Sequence, residues 1–455
     1  MWNEYRLVGR SIPSCRPNTV DDEERSLTTD LSNRIPMEVY ENVIEHMDQC
    51  TLYSSALVCQ AWNPRASYLL YLTILITSRA SYDLLVKQLR TSPRVQRWLQ
   101  STRQVALGEH WTDSVTPFLD AFPLVFGHAC PALQGLNIGY VLRPNMHPTF
   151  HVALRQLHRL VSLRLHHVEL SNSTQLRRIV CAFPCLKELA LDAVLLLHPQ
   201  LPQSAGGRPQ NDPSRGSCNI RPKRLQVVSD TDKHVQTFGR TADWLISSGI
   251  CSSLAELVTA FYGTHTELAI EHVNRLLETA GQSLTSFYCH SDLNLLHRSP
   301  CNLVHNTALR QLTVRLNVDP YQPTEVSEWA DTANELRGVF STVRSYQLEH
   351  ITVHFRFVLP SPVNEENFAQ SCKQLDSDSR GLHDVMVRPY FHVLAEAKIE
   401  IEVECWVDSE DDRKDEMDRF VSAMKPILRR LFAPWHDRGV VKVNVTSTTT
   451  KLWAE

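Results

Sequence analysis

His158, His166 and His167 lie close together, and Cys181 and Cys185 follow four residues apart. Imidazole and thiol in one stretch could ligate a transition metal or move protons. Either job needs further carboxylate or thiol partners at fixed spacing, and the sequence identifies none. Phe183-Pro184 should end any helix carrying both cysteines, so two buried thiols in a turn are expected. The acidic run Ser409 to Asp418 lacks the ligand spacing and turn glycine of a calcium loop and reads as a solvated loop and helix start. Arg221, Lys223 and Arg224 are too few to read as a nuclear-targeting cluster. No Gly-x-Ser-x-Gly, His-Glu-x-x-His, phosphate-binding glycine loop or Cys-x-x-Cys pair occurs. The residues therefore point to a binding protein rather than a catalyst, with no cofactor and no metal site.

The 455 residues suffice for two to four ordinary domains or one extended repeat array. A formal net charge of −4 gives no broad basic field, so nucleic acid is not an expected partner. Met1 to Arg10 (MWNEYRLVGR) lacks the apolar stretch of a secretory leader, and no apolar run reaches the ~18 residues of a membrane span. With twelve irregularly placed cysteines, these features lead to the expectation of a reduced, soluble, cytoplasmic or nuclear chain without a membrane partner.

The elements that would position binding residues come from an internal period. Leu160-x-x-Leu163-x-Leu165 recurs 26 residues later as Leu186-x-x-Leu189-x-Leu191, and Leu133-x-x-Leu136-x-Ile138 lies 27 earlier. Further copies are Leu254-x-x-Leu257, Leu284-x-x-Phe287-x-Cys289, Leu309-x-x-Leu312-x-Val314 and Leu348-x-x-Ile351-x-Val353. Val105-x-Leu107 and Leu225-x-Val227 extend the series. Helix-like stretches, such as Ser173 to Phe183 and Thr266 to Thr279, fall between copies. Strand side chains alternate faces, so the residues between the apolar ones share an exposed face. Arg164, His166, Glu188, Asp192, Tyr288, His290, Arg315, His350 and His354 are its candidates. That polar, histidine-rich, mixed-charge set suits a protein partner better than an apolar small molecule. Arg164 and Arg315 are too distant in sequence to define a phosphate pocket.

Ahead of the repeats, Val39, Val43 and Met47 recur every fourth residue with Ile44 beside them, after Ile35-Pro36 and Glu38 at a helix start. Asp48 to Thr51 breaks the pattern, with Thr51 as an N-cap. A second helix carries Leu52, Ala56 and Cys59 with Leu57, Val58 and Trp62. Pro64 starts a third with Ala66, Leu69, Leu70 and Leu72. Three short helices bury too little to stand alone, so a partner or following domain should cover part of them.

Residues 35 to 62 resemble an F-box: Ile35-Pro36-x-Glu38, Val39, Val43, Met47, Leu52 and Val58-Cys59-x-x-Trp62 follow its pattern, with Ile for Leu at the start. The later period resembles leucine-rich repeats. The expected fold class is thus α/β: a three-helix module over 31–72, then an irregular solenoid of short parallel strands and return helices over 73–394. A tail (1–30) and an insertion (199–222), rich in Pro, Gly and Ser, should be disordered. Residues 395–455 should form a capping unit: a strand over Ile399 to Val407, a helix from about Arg413 to Phe432, and a strand over Val440 to Val445.

The resemblance implies a substrate receptor of an SCF-type (cullin) ubiquitin ligase, docked on a Skp-family adaptor and through it on cullin and RING subunits. It implies adaptor contacts at Ile35, Pro36, Val39, Val43, Leu52, Leu57, Val58 and Trp62, some of which must instead hold the helices together. The repeat face would hold a protein substrate. The alternative is a non-ligase interaction scaffold.

Overall fold

The computed structural model describes residues 36–449, apart from residue 59 and the segments 109–117, 198–219, 263–265, 293–300, 319–327, 360–374, 376–378 and 406–409. The expected tail and most of the expected insertion, together with Ile35 and Cys59, lie outside the described residues. The chain divides into two compact units between Leu70 and Tyr71.

In the first unit, helices α1 (Met37–Glu45), α2 (Gln49–Val58) and α3 (Asn63–Leu72) enclose Ile44, Leu52 and Ala66. Met47, Ala56, Trp62, Leu69 and Leu70 pack against them. Pro36 stands just before α1 rather than in its first turn. The cap of α2 is Asp48, not Thr51: the Thr51 N–H donates to Asp48 Oδ1 at 2.8 Å. A carboxylate there satisfies an orphan donor and meets the positive end of the helix dipole. Asn63 Nδ2 donates to the Ala56 carbonyl at 2.7 Å, tying α3 back onto α2.

The second unit is built on one twelve-stranded sheet. Its strands are β1 (Thr73–Ile76), β2 (Gln104–Gly108), β3 (Gly135–Gly139), β4 (Ser162–His166), β5 (Glu188–Asp192) and β6 (Arg224–Ser229). They continue as β7 (Glu256–Phe261), β8 (Ser286–Asp292), β9 (Gln311–Val318), β10 (His350–Leu359), β11 (Glu396–Cys405) and β12 (Val441–Thr449). Strand order follows sequence order, and every neighbouring pair is parallel. Parallel neighbours require a crossover between them, which helices such as α4 (Ser173–Val180), α5 (Asp232–Ser247) and α6 (Thr266–Ala280) supply.

The apolar period is the register of this sheet. Val105, Leu136, Leu163, Leu189, Leu225, Leu257, Phe287, Leu312 and Ile351 pair in one row. Leu107, Ile138, Leu165, Leu191 and Val227 begin the next, which runs on through Cys289, Val314 and Val353. Both rows are buried in one core with Leu176 and Ile179 of α4, Phe238 and Leu245 of α5, and Val273 and Leu276 of α6. Asn172 and Thr231 cap α4 and α5 through their side-chain oxygens. Gly249, at φ +76°, follows α5 in the left-handed conformation that suits glycine.

Hydroxyl groups stitch neighbouring repeats at one recurring place. Thr102 Oγ1, Ser253 Oγ, Ser283 Oγ and Ser345 Oγ donate to the carbonyls of Tyr71, Pro222, Leu254 and Leu309 at 2.7–3.0 Å. Each acceptor lies two residues before a strand of the sheet.

The array differs from the sequence reading at both ends. It begins one strand earlier, at β1, a short Thr-Ile-Leu-Ile run that follows α3 without a turn signal. The expected C-terminal unit contributes β11 and β12 to the same sheet, with a helix over Glu410–Leu431 between them. On its last strand Lys442, Asn444 and Thr446 are exposed, and Val443 and Val445 are 45% and 37% exposed beside them. Ser286 pairs with Gln311, 25 residues on, whereas His350 pairs with Glu396, 46 residues on. No helix among the described residues is long and apolar enough to cross a membrane.

Candidate functional site

One face of the sheet packs on the helices; the other carries the residues alternating with the buried rows. Arg164, Ala190, Gln226, Val258 and Tyr288 pair across it in one row, and His166, Asp192, Val228, Ala260, His290, Arg315 and His354 in the next. Glu188 and His350 belong to a third row, at the start of their strands. All nine candidate residues therefore share this face, as alternation requires. They fall into two groups, one on β4 and β5, the other on β8 to β10. Between them β6 and β7 carry Val228, Val258 and Ala260.

In the first group, Arg164 Nε and Nη2 lie 2.5 Å from Asp192 Oδ2, and Gln226 Nε2 donates to Asp192 Oδ1 at 3.2 Å. Asp192 is only 3% exposed, so it is a held anchor for Arg164 rather than the presented surface residue expected from alternation. Burial raises the Asp192 carboxyl above its ordinary range despite Arg164 and Gln226. Next to this pair the rings of His166, His167 and Tyr140 meet: Tyr140 and His167 stack at 4.9 Å, and the two histidines meet edge to face at 4.3 Å. Burial, with His167 and Arg164 adding to it, pushes His166 down to about 4. His167 is lowered too, mainly by burial and against the pull of Asp230. Asp230 joins the cluster to α5, with Oδ2 3.4 Å from His167 Nε2 and Oδ1 2.7 Å from His234 Nδ1.

Tyr140, His167 and Ala193 stand directly after β3, β4 and β5, each with a left-handed backbone (φ 59°, 48° and 51°). Non-glycine residues rarely adopt this conformation and pay for it in strain. Each N–H donates to the next repeat's backbone: Tyr140 to His166, His167 to Asp192, Ala193 to Val228, at 2.7–3.1 Å. These inter-repeat bonds hold the conformation and turn the ring of Tyr140 onto the histidines. His158 takes no part; it is exposed, with Nδ1 3.1 Å from the Gln156 carbonyl.

In the second group, His290 is 3% exposed and meets the Tyr262 hydroxyl through Nδ1 at 3.1 Å, so it too is an interior residue rather than a presented one. Arg315 donates to Glu402 at 2.6 Å and also engages the Tyr288 hydroxyl. His354 Nδ1 lies 2.6 Å from Glu400, which Lys398 also contacts. Burial lowers His354 against the attraction of Glu400. Glu188 lies apart from both groups, in a shallow groove of about 470 Å³ with Lys187, Lys223, Arg224, Glu256 and Gln311. His350 is half-buried at the same edge.

The face thus offers paired charges, aromatic rings and short apolar side chains. No protein-family model matches the chain, and no curated protein matches it. Among the described residues no group of three or more His, Cys, Asp or Glu is placed to hold a metal ion. Cys185 is exposed and Cys181 is disulfide-bonded, so the expected pair of buried thiols is absent.

On the first unit, Val39 and Val43 are each 49% exposed, Val58 66% and Leu57 73%, and Pro36 is exposed as well. Leu52 lies in the core, and Trp62 is half-buried with its ring 5.7 Å from Tyr40. Leu52 therefore packs the helices instead of facing outward, because it sits where α2 turns toward Ile44 and Ala66. Met37 and Tyr53 add to the exposed apolar set.

Sequence reasoning missed Tyr140, Asp230, His234, Tyr262, Glu400 and Glu402. Tyr140 was within reach, since it holds the same repeat position as His167. Glu400 and Glu402 fall within the expected Ile399 to Val407 strand, whose place in the same sheet its spacing does not reveal. Asp230 and His234 follow β6, whose place in the array depended on a short, isolated Leu-x-Val.

Proposed function

We propose that this chain is the substrate-receptor subunit of an SCF-type ubiquitin ligase, an F-box followed by leucine-rich-repeat-like units. The first unit docks on a Skp-family adaptor, and the open face of the sheet holds a protein substrate. One observation carries the reading: among its described residues the unit exposes Val39, Val43, Tyr53, Leu57 and Val58, while its buried apolar side chains are Ile44, Leu52 and Ala66. So many exposed apolar side chains beside so small a core suit a surface that a partner covers. That segment is also the one with the Pro-x-Glu start and the Val58-Cys59-x-x-Trp62 end. The consecutive parallel strands and their in-register Leu rows support a repeat array as the second half of such a receptor.

In this reading the chain performs no bond chemistry. It holds its substrate beside a ubiquitin-charged enzyme, turning a bimolecular encounter into an effectively intramolecular one. The apolar side chains of α1 and the end of α2 supply the adaptor contact, with buried anchors dominating the affinity.

The test is co-purification of a Skp-family adaptor with the full chain, beside a variant carrying Val43→Asp and Leu57→Asp. Capture by the parent and loss in the variant is the expected result. No capture by the parent overturns the ligase reading and leaves an interaction scaffold. A companion Ile35-Pro36→Ala-Ala variant tests the start of the motif in the same assay.

A further inference from the structure

Cys289 and Cys301 are both buried and outside any disulfide, twelve residues apart, with their sulfurs 3.6 Å from each other. Cys289 occupies the second buried row of the sheet, paired with Thr259 on β7 and Val314 on β9. Its neighbours in sequence, Tyr288 and His290, point to the open face. Cys301 is held from its own side: Thr342 Oγ1 donates to its carbonyl at 3.0 Å and accepts the Leu303 N–H at 3.1 Å. Both backbones are thus fixed by hydrogen bonds, and the distance between the sulfurs is set by the fold.

We propose that Cys289 and Cys301 form a peroxide-sensitive dithiol that closes to an intramolecular disulfide. A disulfide needs its sulfurs at about 2.05 Å, so small side-chain rotations suffice to close the gap. Peroxide takes an electron pair from one thiolate, forming a sulfenic acid and releasing one water. The second thiol attacks that sulfur and expels another water, so two thiols and one peroxide become one disulfide and two waters. The bond would tie β8, from the centre of its Tyr288-Cys289-His290 run, to the segment entering β9. It stands independently of the ligase reading.

The experiment treats the full chain with hydrogen peroxide, alkylates remaining thiols after unfolding, and maps peptides without reduction. Expected is a cross-link joining Cys289 to Cys301 with the loss of two hydrogens, reversed by dithiothreitol, and an upward shift in melting temperature of the oxidised form. Cys50→Ser with Cys185→Ser removes the exposed free thiols among the described residues and should leave the cross-link intact. Cys289→Ser should leave Cys301 open to alkylation after peroxide; the map of the parent chain stands even where this variant fails to fold. Recovery of both cysteines as alkylated thiols after exposed Cys50 has oxidised would overturn the proposal. So would protection of both by a stoichiometric zinc ion, since the pair would then be a metal site.

Discussion

Arg164 on β4 and Asp192 on β5 are bound diagonally across one strand spacing, guanidinium to carboxylate at 2.5 Å, with the acid almost wholly buried and the base partly open to solvent. The pair couples two adjacent repeats at the edge of the histidine cluster. It is asymmetric: removing the base strands a buried charge, whereas neutralising the acid does not.

Arg164→Ala should therefore destabilise the protein by about 1–3 kcal/mol, the cost of a buried group left short of partners. Asp192→Asn should cost less, because an amide keeps a bond to Gln226 and buries no charge. Urea unfolding of both variants checks the order. Equal and negligible losses would show that the pair is solvated in solution.

The hydroxyl stitches make a second expectation. Ser345 is fully buried and donates to the Leu309 carbonyl at 2.7 Å. Ser345→Ala leaves that carbonyl short of a donor and should cost about 1–3 kcal/mol. Ser252, exposed next to the stitching Ser253, donates to the Gly249 carbonyl within its own turn, and Ser252→Ala should stay within about 0.5 kcal/mol. Thermal unfolding of the two variants side by side would decide it.

Acid should weaken the fold through its histidines. His166 titrates near 4 in the folded protein against about 6.5 unfolded, so the unfolded chain takes up a proton that the fold refuses. Its contribution is whole above about 6.5 and is lost as pH falls toward 4. His151, His167, His272 and His354 are lowered mainly by burial and act in the same direction. Asp192 acts oppositely: its raised value favours the fold below about 3.8, an advantage lost as pH rises through the folded value. Melting temperature should fall between pH 7 and pH 5, and His166→Asn should shrink that fall. A flat profile in the parent would refute the expectation.

In the first unit, stability and docking should separate. Ile44 is buried at the centre of the three helices, and Ile44→Ala should cost about 2–5 kcal/mol. Val43, its neighbour in sequence, is exposed, and Val43→Ser should change stability by less than about 0.5 kcal/mol while weakening adaptor capture. Hydrogen exchange of residues 37–72, measured beside adaptor co-purification, reads both quantities. A large loss of protection in the Val43 variant would make that residue structural.

The Leu-x-x-Leu-x-Leu copies marked β3 to β5 and β7 to β10 and their register, because a row of leucines stays dry only if successive strands align their buried side chains. Alternation likewise assigned Arg164, His166, Tyr288 and Arg315 to one face without any coordinates. The breaks in pattern at Pro36 and Asp48 marked two of the first three helices, although the cap moved from Thr51 to Asp48.

Other features belong to the tertiary structure alone. Whether a face residue is presented or interred depends on neighbours from strands dozens of residues away. Asp192 needs Arg164 and Gln226 around it, and His290 needs Tyr262, so periodicity could not place either below the surface. The left-handed Tyr140 and His167 are held by bonds from the following repeat, and only that stacking brings Tyr140, His166, His167 and His234 together. The Cys289 and Cys301 sulfurs meet because β8 and the entry to β9 pass side by side. Sequence spacing records period and alternation, which are local; burial and pairing are set by what packs on the other side.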